Sequence, residues 1–133
     1  MDDYNRQALH IDVAFSLPAK RVTDVLDILI DLHGKPKQIR SDNGSEMTSH
    51  HYQDWANEKG IKLLFIQPGK PAQNAYIERF NRTYREDVLD AYWFESLRDV
   101  IQLTDQWINE YNHNRPHQAL NDLTPMQFLA QPA

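Results

Sequence analysis

Polar and hydrophobic positions alternate near the start of the chain. Over residues 7–15, Leu9, Ile11 and Val13 fall on one side, the period-two pattern of a strand. Ser16 and Pro18 then supply helix-start residues. Val22, Val25, Leu26, Leu29 and Ile30 recur at helical spacing until Gly34 ends the run. A short strand is predicted around residues 38–41, leading into the turn-forming Asp42-Asn43-Gly44. Thr48 is suited to cap a second helix that presents Tyr52, Trp55 and Ala56 and stops at Gly60. The nearly continuous apolar run over 61–66 reads as a strand covered on both faces. Pro68 and Pro71 hold a loop open before a long helix over about residues 73–91. Another helix is predicted over 96–112, and a short one after Thr124-Pro125.

Strands alternating with helices predict an α/β domain with helices packed on a sheet. A chain of 133 residues suits one domain, 1–133, with a helical tail over about 96–133. Three strands fall short of the roughly five that such a sheet ordinarily has.

Composition narrows the class. Hydrophobic content of 41% and charged content of 25% are those of a globular protein, not a disordered one. No run approaches the roughly 20 apolar residues of a membrane span. The first residues lack the pattern of a signal peptide. The chain has no cysteine, which rules out disulfides and thiolate metal sites and suits a reducing cytoplasm. The net charge of −5 argues against a uniformly basic nucleic-acid binder. Residues 1–86 nevertheless hold 12 Lys/Arg and 12 Asp/Glu, whereas 87–133 hold 2 against 7. A DNA-facing surface is therefore expected as a local cluster in the first two thirds.

Two carboxylates carry candidate chemistry. Asp42 sits where a strand gives way to a turn, the edge at which open α/β sheets usually bind ligands. Glu78 lies on the long helix. At about 100° per residue, with Asn74 at roughly 0°, Glu78 falls near 40°, Arg82 near 80° and Arg85 near 20°. Ile77, Phe80, Tyr84 and Val88 fall between about 240° and 320°, so an apolar face adjoins one bearing an amide, a carboxylate and two guanidiniums. Mg²⁺ takes oxygen ligands, commonly carboxylates with phosphate and water. Arginines can hold phosphate oxygens, and Asn74 can bond a base or sugar. Taken singly, each residue has a plainer reading. Asp in such a tripeptide ordinarily forms the turn itself, and Glu with Arg at i+4 is ordinarily a solvated helix pair.

Three blocks change the weighing: residues 41–46 (SDNGSE), 67–74 (QPGKPAQN) and 77–81 (IERFN). Together they resemble the integrase-core transposases of bacterial insertion sequences, specifically the family whose transposase is made by joining two overlapping reading frames. Between Asp42 and Glu78 lie 35 residues, the spacing this family shares with retroviral integrases. The tail is similar too, with Trp107, Tyr111-Asn112, Arg115-Pro116-His117, Ala119-Leu120, Thr124-Pro125 and Phe128. The resemblance covers essentially the whole chain. It implies a ribonuclease-H-like fold and a metal site with Asp42 and Glu78 as the second and third acids. It implies Mg²⁺ or Mn²⁺, DNA (insertion-sequence ends and target) as substrate, attack by water and then by a DNA 3′-hydroxyl, and other transposase chains as partners, giving a homo-oligomer. Lys70, Asn74, Arg82 and Arg85 are implied DNA contacts.

The family's first acid lies on an opening strand, in a Trp-x-x-Asp setting, and no such setting is present here. Asp2 or Asp3 followed by Tyr4-Asn5-Arg6 resembles the turn after the family's second strand. The fold is therefore expected to be incomplete at its N-terminus, lacking the first strand and most of the second, and the chain is expected to be inactive alone. Two other functions stay open: a non-catalytic DNA-binding or assembly fragment of a transposase, and a ribonuclease-H-type nuclease. His50-His51 is expected on a helix surface, His113 and His117 in a structural loop, and the three tryptophans mainly in packing.

Overall fold

The computed structural model describes residues 1–42, 44, 47–66 and 75–131. They fall into two compact units: Ala14–Ala75 forms one, and Met1–Val13 with Tyr76–Ala133 forms the other.

The first unit carries the sheet. Helix α1 (Ala19–His33) starts after Pro18 and ends at Gly34, whose φ of 90° is accessible at little cost only to glycine. The predicted apolar stripe of α1 is half-buried, and its Leu26 and Ile30 pack on a core of Trp55, Ala56 and Ile61. Strand β1 (Gln38–Ser41) and strand β2 (Lys62–Phe65) pair in parallel, with Gln38 opposite Lys62 and Ser41 opposite Phe65. Helix α2 (His50–Lys59) lies between them in sequence, as a parallel pair requires a crossover. Gly60 ends α2 in the left-handed conformation, as expected.

Two expectations need correction here. Ser49, not Thr48, caps α2, its hydroxyl accepting from the Tyr52 amide at 3.2 Å. The Thr48 hydroxyl donates instead to the Gly44 carbonyl at 3.3 Å. The strand within 61–66 is shorter than its apolar run and is not covered throughout. Ile61 is buried, Lys62 is exposed, and residues 63–66 are half-buried.

The second unit is helical. Helix α3 (Ala75–Tyr84) runs into a single π turn (Arg85–Leu89) closed by the Asp90 amide on the Arg85 carbonyl at 2.8 Å. The extra residue in this turn lets Val88 stay buried while Asp87 reaches α4 (Leu97–Asn114). Asp87 accepts there from Trp107 Nε1 at 3.0 Å. Ser96 caps α4, accepting from the Asp99 amide. Helix α5 (Pro125–Leu129) opens on the expected Thr124-Pro125. Thr124 and Gln127 form a reciprocal capping box, each side chain accepting from the other's amide.

Aromatic edges organise this unit's core. Phe80 meets Tyr111 at 5.1 Å and Trp107 at 5.5 Å between ring centres, and Tyr84 meets Trp107 at 5.2 Å. Such edge-on pairs add about 0.5–1.5 kcal/mol each beyond area burial. Ile77 and Ile108 pack against the cluster, and the Tyr84 hydroxyl bonds that of buried Thr104 at 2.5 Å. The predicted apolar face of α3, with Ile77, Phe80, Tyr84 and Val88, is the face that packs.

The strand expected over 7–15 is not formed, and among the described residues the sheet has two strands, not three. Buried Ala8 uses a side chain where a strand would use a neighbour. Its amide donates to Asn112 Oδ1 at 2.8 Å, and its carbonyl accepts from Asn112 Nδ2 at 2.9 Å. One carboxamide thus supplies the acceptor and the donor of a missing ladder rung. The turn before it is built on Asp2 rather than Asp3. Its Oδ1 accepts from the Tyr4 and Asn5 amides, and Arg6 takes a left-handed φ of 63°.

Among the described residues, no helix is long and apolar enough to cross a membrane.

Candidate functional site

Asp42 directly follows β1, as the sequence predicts, and is exposed. The strand end that presents it is anchored one residue earlier. The buried Ser41 hydroxyl pairs with that of Tyr52 at 3.2 Å, and the Ser41 carbonyl accepts from the Ile66 amide at 3.0 Å. Tyr52 is fully enclosed, and burial pushes its phenol pKa above the usual value, against a smaller opposing effect of the Ser41 bond. The hydroxyl therefore stays protonated and fixes β1 to α2.

Asp42 Oδ1 accepts from the Gly44 amide at 2.9 Å. The turn-forming role expected of such an aspartate is thus real, and among the described residues it engages one carboxylate oxygen.

Glu78 lies on α3 and is exposed. Arg82 follows it by one turn, and Arg85 opens the π turn; both are exposed. The solvated Glu78–Arg82 pair is not formed, and neither Asp42 nor Glu78 makes an ion pair among the described residues. Asp42 belongs to the sheet-bearing unit and Glu78 to the helical one. Lys70 and Asn74 lie outside the described residues.

Hard oxygen donors of this kind suit Mg²⁺ or Mn²⁺. Among the described residues, no three Asp, Glu or His side chains gather as a cage.

The histidines form no metal cluster among the described residues, and His113 lies on α4 rather than in a loop. His50 and His51 are exposed on α2. The Thr23 hydroxyl lies 3.0 Å from the Lys20 carbonyl and hydrogen-bonds His51 Nε2 at 2.8 Å. His117 lies in the loop after α4, bridged to Leu123 and edge-on to Tyr111 at 5.1 Å. Of the tryptophans, Trp55 and Trp107 pack, whereas Trp93 is 97% exposed.

Sequence reasoning missed one group. Arg6, Arg79 and Arg115 line a single cavity of the helical unit although they are far apart along the chain. No local spacing signals that meeting.

Two family models, each described as an integrase core domain, match residues 1–71 and 59–125. The chain is 40% identical over 131 residues to an uncharacterized 31.7 kDa protein of insertion element IS407 from Burkholderia multivorans (strain ATCC 17616 / 249). That match covers 98% of this chain and 47% of the relative. It is 37% identical over 130 residues to an uncharacterized 39.2 kDa protein of insertion element IS476 from Xanthomonas euvesicatoria, covering 98% and 38%. The chain thus spans less than half the length of either relative. Its fold is similar to the catalytic core domain of BIV integrase, with a TM-score of 0.65 at 20% identity over 93% of this chain and 78% of that one. The ribonuclease-H-like α/β integrase-core fold expected from the motifs is the fold of this chain.

Proposed function

This chain belongs to the integrase core domain family, and on that premise we propose that it is the catalytic-core part of an insertion-sequence transposase. In this reading Asp42 and Glu78 hold Mg²⁺ or Mn²⁺ at DNA. The transposase cleaves and joins DNA phosphodiesters at insertion-sequence ends and target. The observation that carries the reading is a pair of exposed carboxylates, one closing a strand and one on α3, each without an ion pair among the described residues.

When bound, the cation supplies Lewis acidity that polarises a phosphodiester and makes a water or hydroxyl more acidic. The chain's own residues position the DNA. Arg82, one turn after Glu78 on α3, and Arg85, which opens the π turn, take phosphate oxygens, while Lys70 and Asn74 add backbone and base or sugar contacts. Further transposase chains complete the working assembly as a homo-oligomer, and the encounter with DNA takes place in the cytoplasm.

Mn²⁺ titration followed by calorimetry tests the site. Wild type binds the ion, Asp42→Asn and Glu78→Gln each abolish the heat, and Asp54→Asn, an exposed acid on α2, leaves it unchanged. Equal binding in wild type and both site variants overturns the assignment. In anisotropy titrations with an insertion-sequence end, Arg82→Ala with Arg85→Ala lowers the salt slope by about 1.8, at roughly 0.9 per phosphate contact.

A further inference from the structure

A cavity of about 470 Å³ opens in the helical unit between α3, the end of α4 and the N-terminal turn. Arg6, Arg79 and Arg115 line it together with Tyr76, Tyr111 and His117, and no acidic side chain does. Three cations converge on this concavity in a chain whose net charge is −5.

Each guanidinium is held differently. The Arg6 guanidinium carbon lies 3.7 Å from the centre of the Tyr76 ring, so the aromatic face holds the group. An Arg6 guanidinium N–H donates to the Asp3 carbonyl. Arg115 pairs with Asp87 at 3.2 Å and reaches over Tyr111 at 5.9 Å. The Arg79 side chain is exposed and makes no hydrogen bond or ion pair among the described residues. The wall records their field. His117 is held below its ordinary pKa first by burial, then by Arg115 and Arg6.

A half-neutralised Arg115, an anchored Arg6 and an uncompensated Arg79 leave a net positive pocket with forked donors, the chemistry that receives phosphate. We propose that this cavity binds a phosphate group of the DNA backbone, through residues other than the Asp42 and Glu78 carboxylates. The phosphate chemistry stands on the cavity alone, while DNA as its source rests on the function proposed above. The site needs no metal.

The full chain, in buffer with EDTA, is titrated with a single-stranded thymidine hexamer and separately with inorganic phosphate. Imidazole carbon–proton NMR signals follow His117. Expected are an upward move of the His117 titration midpoint as negative charge enters, and hexamer binding at least tenfold tighter than inorganic phosphate. Arg79→Gln weakens the hexamer about tenfold, and Arg79→Lys restores part of the loss. Hexamer binding persists in EDTA, which strips any cation from Asp42 and Glu78, and so keeps the two proposals separable. Urea midpoints equal to wild type show that the Arg79 variants fold. An unmoved His117, or equal affinity of wild type and Arg79→Gln, overturns the site. Inorganic phosphate binding as tightly as the hexamer overturns DNA as the source. Sedimentation showing self-association that Arg79→Gln abolishes would assign the pocket to a carboxylate of a second copy and overturn the proposal.

Discussion

Truncating Asn112 to alanine removes both hydrogen bonds to the Ala8 backbone, at 2.8 and 2.9 Å. Neutral bonds of this kind contribute about 1 kcal/mol each, and each buried backbone group left unsatisfied costs about 1–3 kcal/mol. Ala8 is 2% exposed and Asn112 is 7% exposed, so water replaces the carboxamide poorly. The expected loss is about 3 kcal/mol, a large share of the roughly 5–15 kcal/mol of a typical domain. Urea unfolding followed by circular dichroism reads the total, and amide hydrogen exchange at Ala8 reads the local opening. Asn112→Asp sharpens the test. It keeps an acceptor for the Ala8 amide but sets a carboxylate oxygen against the Ala8 carbonyl. Protonation restores the donor, so this variant recovers stability on acidification toward pH 4 relative to wild type. A loss under about 1 kcal/mol in Asn112→Ala, with no acid recovery in Asn112→Asp, would refute the rung argument.

Two further predictions concern single residues. Because the folded-state pKa of His117 lies below its ordinary 6.5, the unfolded chain takes up this proton first, and the contribution is lost as pH falls through 6.5 toward the folded value. His117→Phe should flatten that part of the fall in urea midpoint between pH 7.5 and 5; an identical fall in both proteins rejects the assignment. Gly60 sits at φ 72°, where an added Cβ would meet Lys35 Nζ at 3.4 Å, so Gly60→Ala is strained by conformation more than by contact. Its cost is about 1 kcal/mol, visible as a lower Tm; an unchanged Tm would contradict it.

Helix boundaries were legible because their signals are local. Pro18 and Gly34, Ser96, and Thr124-Pro125 act within one turn of themselves, and each stands at an element's end. Asp42 at the end of β1 was legible for the same reason. Non-local outcomes were not. Alternation over 7–15 says which side chains face inward but not whether a neighbour exists to form a ladder, and Ala8 found Asn112 instead. Ser49 displaced Thr48 because two adjacent hydroxyls carry equal capping chemistry and the path of the turn decides between them. The π turn came from Asp87 reaching Trp107 and Arg115 while Val88 stayed buried, a compromise no helical wheel contains. The arginine-lined cavity depends on Arg6 and Arg115 meeting across nearly the whole chain.

The Ala8–Asn112 rung also sets an order of events during synthesis. Ala8 leaves the ribosome about a hundred residues ahead of Asn112, the carboxamide that satisfies its backbone. Until then Ala8 and Ile11 have no finished core to join, while the intervening sheet-bearing unit already has all of its own residues. The segment around Ala8 is thus enclosed only once α4 is complete, closing a loop of about a hundred residues whose entropy cost rises only logarithmically with length.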